Sequence, residues 1–281
     1  MAVRRLGPFL VILALALTTT GCGLKPEPTG ATGAAFPVSV VDATGSSFTM
    51  RVAPDRVVSA DPGATAILRQ LGFTPAVPTS TATLLKAAAD PSVGLIVVPL
   101  TLTSTDLAAL ESASTAPIFR YGARPLTAAP ATITQLGLAV GRGPAAAAIA
   151  ERVARGLRAL ADRIASLGPV RTLVEGSRLR FLGAESPLGL DVTAAGGVVV
   201  GPAGGAIEIS AVPALNVAAW VSSTPGGTRL SNLQRVPELS GVPAIAESRF
   251  ASAPLDGYPI DAKLPAALAE LASVLHGPAL N

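Results

Sequence analysis

The sequence predicts an α/β protein, and three patterns along its 281 residues support this class. Short apolar runs alternate with helical patterns from about residue 56 to 140, and a second alternation of this kind runs from 171 to about 253. One long amphipathic helix lies between the two. Two α/β lobes with a helix crossing from one to the other account for this order.

The first alternation begins with a strand that leads into a capped helix. Asp61 is suited to cap the helix, Pro62 fits its first turn, and Gly72 ends it. Residues 93–98 form the continuous apolar run that is expected of a buried parallel strand. The elements predicted here are strands over 56–60, 93–98 and 117–121 and helices over 61–72 and 104–111.

The longest periodic segment predicts the interlobe helix. It begins at Pro144 and ends before Gly168 and Pro169. Six apolar positions recur at spacings of 4, 4, 3, 4 and 3 and should form one buried stripe: Ile149, Val153, Leu157, Leu160, Ile164 and Leu167. A second amphipathic pattern over 261–275 predicts a terminal helix.

Composition and charge exclude several classes of protein. With 49% hydrophobic and 14% charged residues, the chain is too apolar to be disordered. Its net charge is only +3, and no cluster of Lys and Arg is interleaved with aromatic residues. We therefore expect no nucleic-acid partner.

The N-terminus predicts export and lipid anchoring. Arg4 and Arg5 precede an apolar run over 6–17, which is too short to span a membrane comfortably. Gly21 and Cys22 follow, and this segment resembles the lipobox of bacterial lipoproteins, with Cys22 as the lipidated residue. The alternative is an ordinary signal peptide with an incidental cysteine. We expect a signal peptide over 1–21, a flexible tether over 22–37, and a protein held on the extracytoplasmic face of the cell membrane.

The sequence offers little for catalysis or for capture of a bare metal ion. Its one histidine, His276, ends the last predicted helix, where it suits the negative end of the helix dipole. The sequence contains no Gly-x-Ser-x-Gly segment, which would expose a nucleophilic serine on a sharp turn. One histidine is also too few for a metal receptor. We expect neither an enzyme nor a protein with a cofactor.

Several segments resemble, in order and spacing, bacterial substrate-binding proteins of the ferric-siderophore and cobalamin type. The similarity covers residues 38–277, and the segments that carry it are Val40–Gly45, Ala53–Ser59, Ala64–Gly72, Gln135–Gly141, Leu182–Pro187, Asp191–Gly197 and Leu264–His276. The resemblance implies two Rossmann-like α/β lobes, over 38–141 and 169–281, joined by one bridging helix over 142–168. It also implies a shallow interlobe cleft and delivery of the ligand to the permease of an ABC importer.

For the ligand, the resemblance suggests an iron-siderophore or similar organic metal chelate. Arginine and aromatic side chains suit such anionic ligands, because guanidinium groups pair with their oxygens and rings stack on them. The candidate binding residues are Ser59, Asp61, Arg120, Tyr121, Arg124, Arg178, Phe181, Glu185, Trp220, Arg249, Phe250 and Tyr258. The alternatives without a binding role are a helix cap for Asp61, a core position for Trp220, and a solvated surface charge for each arginine.

Two positions depart from the pattern of the resembled proteins, which carry glutamates that dock on the importer. Ala66 stands at the first of these positions, and near the second Glu208 only flanks Ile209–Ala211. Conventional docking is therefore in question. The alternative function is a cell-envelope interaction or scaffold lipoprotein that kept the binding-protein fold without transport.

The lipoprotein interpretation depends on one thiol and can be tested directly. Replacing Cys22 with Ser removes the only atom of the chain that can carry a thioether-linked lipid. We expect Cys22→Ser to abolish metabolic labelling with palmitate and to shift the protein out of the mature membrane fraction. A mutant that labels and fractionates like the wild type would contradict lipidation at Cys22.

Overall fold

The structure is a computed structural model that describes residues 36–280, and it confirms the predicted α/β class. Parallel strands and helices form two lobes with one long helix between them. The predicted signal peptide, Cys22 and most of the tether lie outside the described residues. Within residues 36–280, none of the helices combines the length and the apolar character that a membrane span requires.

The first lobe is built on a three-stranded parallel sheet with an antiparallel hairpin beside it. The hairpin, which the sequence analysis did not anticipate, pairs β1 (Val38–Val41) with β2 (Ser47–Met50). The sheet has the order β3 (Val57–Ser59), β4 (Leu95–Pro99), β5 (Ile118–Tyr121). Its helices are α1 (Pro62–Gln70), α2 (Thr81–Ala88), α3 (Ser104–Ala113) and α4 (Ala129–Ala139).

The long helix α5 (Gly143–Ile164) ends one turn earlier than the periodic pattern suggested. Its 22 residues span roughly 33 Å at about 1.5 Å per residue. Ile149 and Val153 belong to the core of the first lobe, and Leu160 belongs to the core of the second. Leu157 lies between them and packs against both cores. The apolar stripe therefore joins the two lobes.

The second lobe contains a four-stranded parallel sheet with the order β7-β6-β8-β9. Its strands are β6 (Val170–Glu175), β7 (Gly197–Val200), β8 (Ala219–Thr224) and β9 (Phe250–Pro254). Its helices are α6 (Pro187–Ala194), the short α7 (Leu230–Leu233) and α8 (Pro243–Ala246), and the terminal α9 (Leu264–His276). A 3₁₀ helix covers Ile209–Leu215.

Helix α9 packs directly on α5. The approach is close at Gly156, where a Cβ atom would lie 2.6 Å from the Cβ of Pro265. At the other end of α9, His276 is buried with its Nε2 atom 3.2 Å from the carbonyl oxygen of Ala195. The histidine thus helps to fasten the last helix to its own lobe.

The two-sided packing of Leu157 predicts a large loss of stability for a charged replacement. Leu157→Asp would place a carboxylate between two apolar cores without a partner, and we expect it to lower the free energy of unfolding by roughly 2–4 kcal/mol. Urea denaturation measures this loss. Ala159→Asp, at an exposed position of the same helix, is the matched control and should cost far less. Equal costs for the two variants would show that the stripe does not join the lobes.

Candidate functional site

A cavity of about 300 Å³ lies between the two lobes. The first lobe lines it with residues that follow the carboxyl ends of its three parallel strands: 60–63 after β3, 99–101 at the end of β4, and 121–126 at the end of β5. Because parallel strands all end at one edge of a sheet, ligand sites of α/β proteins commonly form there. The second lobe adds residues of α6 and the segment 256–260, which connects β9 to α9.

The segment 256–260 is fixed to the first lobe through Ile260. The hydroxyl of Tyr121 donates a hydrogen bond of 2.6 Å to the carbonyl oxygen of Ile260. On the other side, a Cβ atom at Gly63 would lie 2.7 Å from the Ile260 nitrogen, so only glycine permits this approach. The apolar side chain of Ile260 packs against the cores of both lobes. Ile260 therefore lines the cavity while it connects the two lobes.

Asp61 lines the cavity from the first lobe. Its Oδ1 atom caps α1 by accepting the Ala64 N–H at 2.8 Å, as the sequence predicted. Burial raises the pKa of this carboxyl to about 6, and the backbone N–H groups of Ala64 and Gly63 only partly oppose the rise. A capping role does not remove Asp61 from the site, because the same side chain reaches the cavity wall.

Asp191 lines the cavity from the second lobe, on α6. Only 1% of its surface is exposed, and its Oδ2 atom accepts the Tyr258 N–H at 2.7 Å. Burial raises the pKa of the carboxyl to about 7, and the hydrogen bond from Tyr258 partly counters this. Each lobe thus presents one partly desolvated carboxyl group to the cavity.

The remaining polar residues of the lining are two tyrosines, the exposed Thr101 and two exposed charged residues. Burial raises the pKa of the Tyr121 phenol well above its usual range, and burial together with Asp191 raises that of Tyr258. Arg124 and Asp256 are exposed. Otherwise the wall is mainly apolar, with prolines and aliphatic side chains from both lobes: Pro62, Pro99, Leu100, Leu126, Pro187, Leu190, Pro259 and Ile260.

The structure brings together four of the twelve residues predicted to bind ligand. These four line the cavity: Asp61, Tyr121, Arg124 and Tyr258. Ser59 lies directly behind Asp61, where its buried hydroxyl accepts a hydrogen bond from Thr65. Arg120 is not part of the lining, and its guanidinium donates to the carbonyl oxygen of Leu100, which is. Their roles toward a ligand stay predictions.

Three predicted residues lie elsewhere, and this corrects their expected placement. Trp220 is near the start of β8, whereas Arg249 and Phe250 are at the start of β9. The amino ends of parallel strands lie at the edge of the sheet opposite to the carboxyl ends. Trp220 is fully buried with its Nε1 donating to Glu175, Phe250 packs on the same core, and Arg249 pairs with Glu247.

Three further candidates follow β6 but turn away from the cavity. Phe181 is buried in the core that contains Trp220, and it pairs in a β-bridge with Glu175. Arg178 and Glu185 are exposed, and neither is part of the cavity wall. The prediction placed these residues at the carboxyl-terminal edge of the sheet, where they do lie, but the loop after β6 packs on its own lobe.

The sequence analysis missed Asp191 as a site residue. It appeared there only as the start of a segment that carried the resemblance. A signal was present, since Asp191 is the one charged residue of α6 and stands between Leu190 and Val192. A lone carboxylate on an apolar helix is rarely buried without a structural or functional partner.

Comparison with known proteins supports the architecture. No family model matches the chain, and no curated protein matches it in sequence. Its fold is similar to CeuE of Helicobacter pylori, solved as a Ni-His complex, with a TM-score of 0.69 and 10% identity over 86% of this chain and 89% of that one. The fold is also similar to the periplasmic heme-binding protein RhuT of Roseiflexus sp. RS-1, with a TM-score of 0.63 and 17% identity over 80% of this chain and 99% of that one.

A third similar structure is an ABC transporter solute-binding protein from Sulfurospirillum deleyianum, with a TM-score of 0.66 and 13% identity over 86% and 90% of the two chains. The fold is thus similar to that of periplasmic solute-binding proteins. This confirms, at the level of the fold, the resemblance found in the sequence.

The close approach at Gly63 predicts that replacing this helical glycine with alanine lowers the stability of the protein instead of raising it. Gly→Ala normally stabilises a helix by about 1 kcal/mol, but here the new methyl group would collide with the Ile260 backbone. We expect Gly63→Ala to lower the free energy of unfolding by roughly 1–3 kcal/mol and to speed amide hydrogen exchange over 256–262. Gly168→Ala, where a Cβ meets nothing within 4 Å, is the control. A stabilised Gly63→Ala variant would refute a rigid contact.

Proposed function

We propose that this protein is an extracytoplasmic solute-binding protein, anchored by lipid at Cys22, that delivers a small ligand to an ABC importer. The observation that carries the proposal is the cavity between the lobes, which forms where the strand ends of the first lobe meet α6 and the segment 256–260. A cavity of about 300 Å³ is at the lower end of the range for small-molecule sites, roughly 300–1,000 Å³.

The helix α5 supports this function because it limits how far the lobes can move. Its stripe is buried in both cores, and Ile260 adds a second attachment. A continuous helix has no hinge residue that could absorb a large rotation. Ligand capture would then proceed with small closure, and the importer would recognise a nearly unchanged surface.

The iron-siderophore ligand suggested by the resemblance finds little support in the lining. Three carboxyl groups, on Asp61, Asp191 and Asp256, stand against the single guanidinium of Arg124. Heme, the ligand named for RhuT, needs an axial donor such as histidine or a tyrosine phenolate. Tyr121 is engaged with Ile260, and the raised pKa of Tyr258 disfavours its phenolate.

The scaffold function remains the second candidate because of Ala66. This residue lies on α1, where the resembled proteins carry a docking glutamate, and the exposed Glu208 precedes the 3₁₀ helix of the second lobe. A protein that keeps the fold but no longer delivers a solute would have no need of the docking glutamate. Solute binding in the cavity separates the two functions.

Thermal-shift and calorimetric titration of the full-length protein in detergent provides the test. The panel contains ferric siderophores, heme, cobalamin, and small cationic, neutral and anionic organic solutes. We expect at least one of these probes to raise the melting temperature and to bind with a Kd below roughly 100 µM.

A variant that fills the cavity identifies the site of binding. Leu190→Trp enlarges a side chain of the lining, and we expect it to abolish the ligand-induced shift. Val198→Trp, at a 47% exposed position of β7, is the matched control and should bind normally. If no probe binds, or if binding survives in Leu190→Trp, solute capture in this cavity is refuted and the scaffold function is favoured.

A further inference from the structure

The two buried carboxylates of the second lobe differ in how well they are hydrogen-bonded. Glu175 has no exposed surface, and it accepts hydrogen bonds from Trp220 Nε1, Thr228 N and Thr228 Oγ1 at 2.6–2.9 Å. These three donors supply the partners that a buried carboxylate needs. Glu175 is thus a structural group, which is satisfied by its own lobe.

Asp191 is almost as buried as Glu175, but its carboxylate has fewer hydrogen-bond donors. Its Oδ2 atom has the Tyr258 N–H, whereas none of the described residues donates a hydrogen bond to its Oδ1 atom. Asp191 lines the cavity, so a solute bound there can supply the partner that Oδ1 lacks. A carboxyl group that is 99% buried and half-satisfied requires either a proton or a partner from the cavity.

Asp61 of the first lobe accepts backbone N–H groups but has no charged partner among the described residues. Its Oδ1 atom is used by the Ala64 N–H, and the nearby Tyr121 hydroxyl donates to Ile260 instead of to the carboxylate. No basic side chain forms an ion pair with Asp61 or Asp191 among residues 36–280. The two carboxyl groups, one from each lobe, therefore lack a countercharge that the protein supplies.

The rest of the lining suits an organic group better than a bare metal ion. Apolar residues make up most of the lining, and Tyr121 and Tyr258 are its aromatic members. Over residues 36–280, no three His, Cys, Asp or Glu side chains converge as metal ligands would. A metal ion needs such a set, whereas an ammonium or guanidinium group needs only one or two carboxylates.

We propose that the interlobe cavity binds a small organic cation, whose ammonium, guanidinium or quaternary nitrogen is paired by Asp61 and Asp191. This inference rests on the proposed solute-binding function and names the class of its ligand. The cation supplies a positive charge that residues 36–280 do not place beside either carboxylate, and its organic part fills the apolar space between the lobes. An anionic chelate would instead bring like charge against two carboxylates that have little solvent to screen them.

Isothermal titration of the full-length protein in detergent tests this ligand class. The probes are choline and agmatine as cations and ferric citrate as an anionic chelate. We expect the cations to bind and ferric citrate not to bind. Asp61→Asn and Asp191→Asn should each weaken choline binding by roughly tenfold or more.

Asparagine is the appropriate replacement at both positions because it preserves the local structure. It caps helices as well as aspartate does, and its side-chain oxygen can still accept the Tyr258 N–H. Asp162→Asn, on the exposed face of α5, is the matched control and should bind choline like the wild type. Unchanged melting temperatures for the empty variants would separate lost binding from lost folding.

The pH dependence of choline binding provides a second readout, since choline keeps its charge at every pH. The carboxyls of Asp61 and Asp191 have pKa values of about 6 and about 7, so both are protonated at about pH 5 and ionised at about pH 8. Affinity should rise over this interval and then level off. The other charged or titratable groups around them are Tyr121, Tyr258, Arg124, Asp256, Asp261 and Glu270. The double variant Asp61→Asn, Asp191→Asn should lose the pH dependence.

Arg124 gives opposite expectations for the two ligand classes. Arg124→Gln removes the only positive charge that residues 36–280 place in the lining, so choline binding should be unchanged or tighter, whereas binding of an anionic chelate would weaken. If ferric citrate binds in a manner that Leu190→Trp blocks, the cation proposal is overturned and the solute-binding function stands. If neither cations nor any other probe binds, both proposals fail.

Discussion

The contact between Ile260 and the first lobe sets the dimensions of the interlobe cavity. Three features converge on this residue: the absence of a side chain at Gly63, the hydrogen bond from Tyr121, and apolar packing on both sides. Each one fixes the position of the segment 256–260, which carries Tyr258 and, through its N–H group, holds Asp191. The site in the second lobe therefore depends on a contact made in the first.

Helix α5 and Ile260 hold the lobes at two separate places. The helix joins the cores through its stripe, with Leu157 shared between them, and α9 packs closely against it at Gly156. Two separate attachments restrict the rotation of one lobe against the other more than a single attachment would. The cavity is consequently preformed, and little free energy of binding is needed to organise it.

The electrostatics of the cavity follow from where hydrogen-bond donors are missing. Glu175 shows that the second lobe can satisfy a buried carboxylate completely when its role is structural. Among the described residues Asp191 has only one such donor. Burial raises the pKa of its carboxyl to about 7, which this hydrogen bond only partly counters, so the group holds a proton up to about that pH. Stability should fall as the pH rises from about 4 to about 7, since the native state binds this proton more tightly than the unfolded chain does. A bound cation would offset that cost.

Local patterns in the sequence determined the fold class, the long helix, the cap at Asp61 and the strand ends of the first lobe, because each depends on neighbours within a few residues. They also placed Asp61 and Tyr121 at a site, since both lie at the carboxyl ends of strands. Tertiary structure decided the second lobe. It buried Trp220 in the core of the second lobe, where its Nε1 donates to Glu175, and it brought Asp191 into the wall through Tyr258, a partner 67 residues away. Such pairings arise from packing between distant elements, which no local pattern encodes.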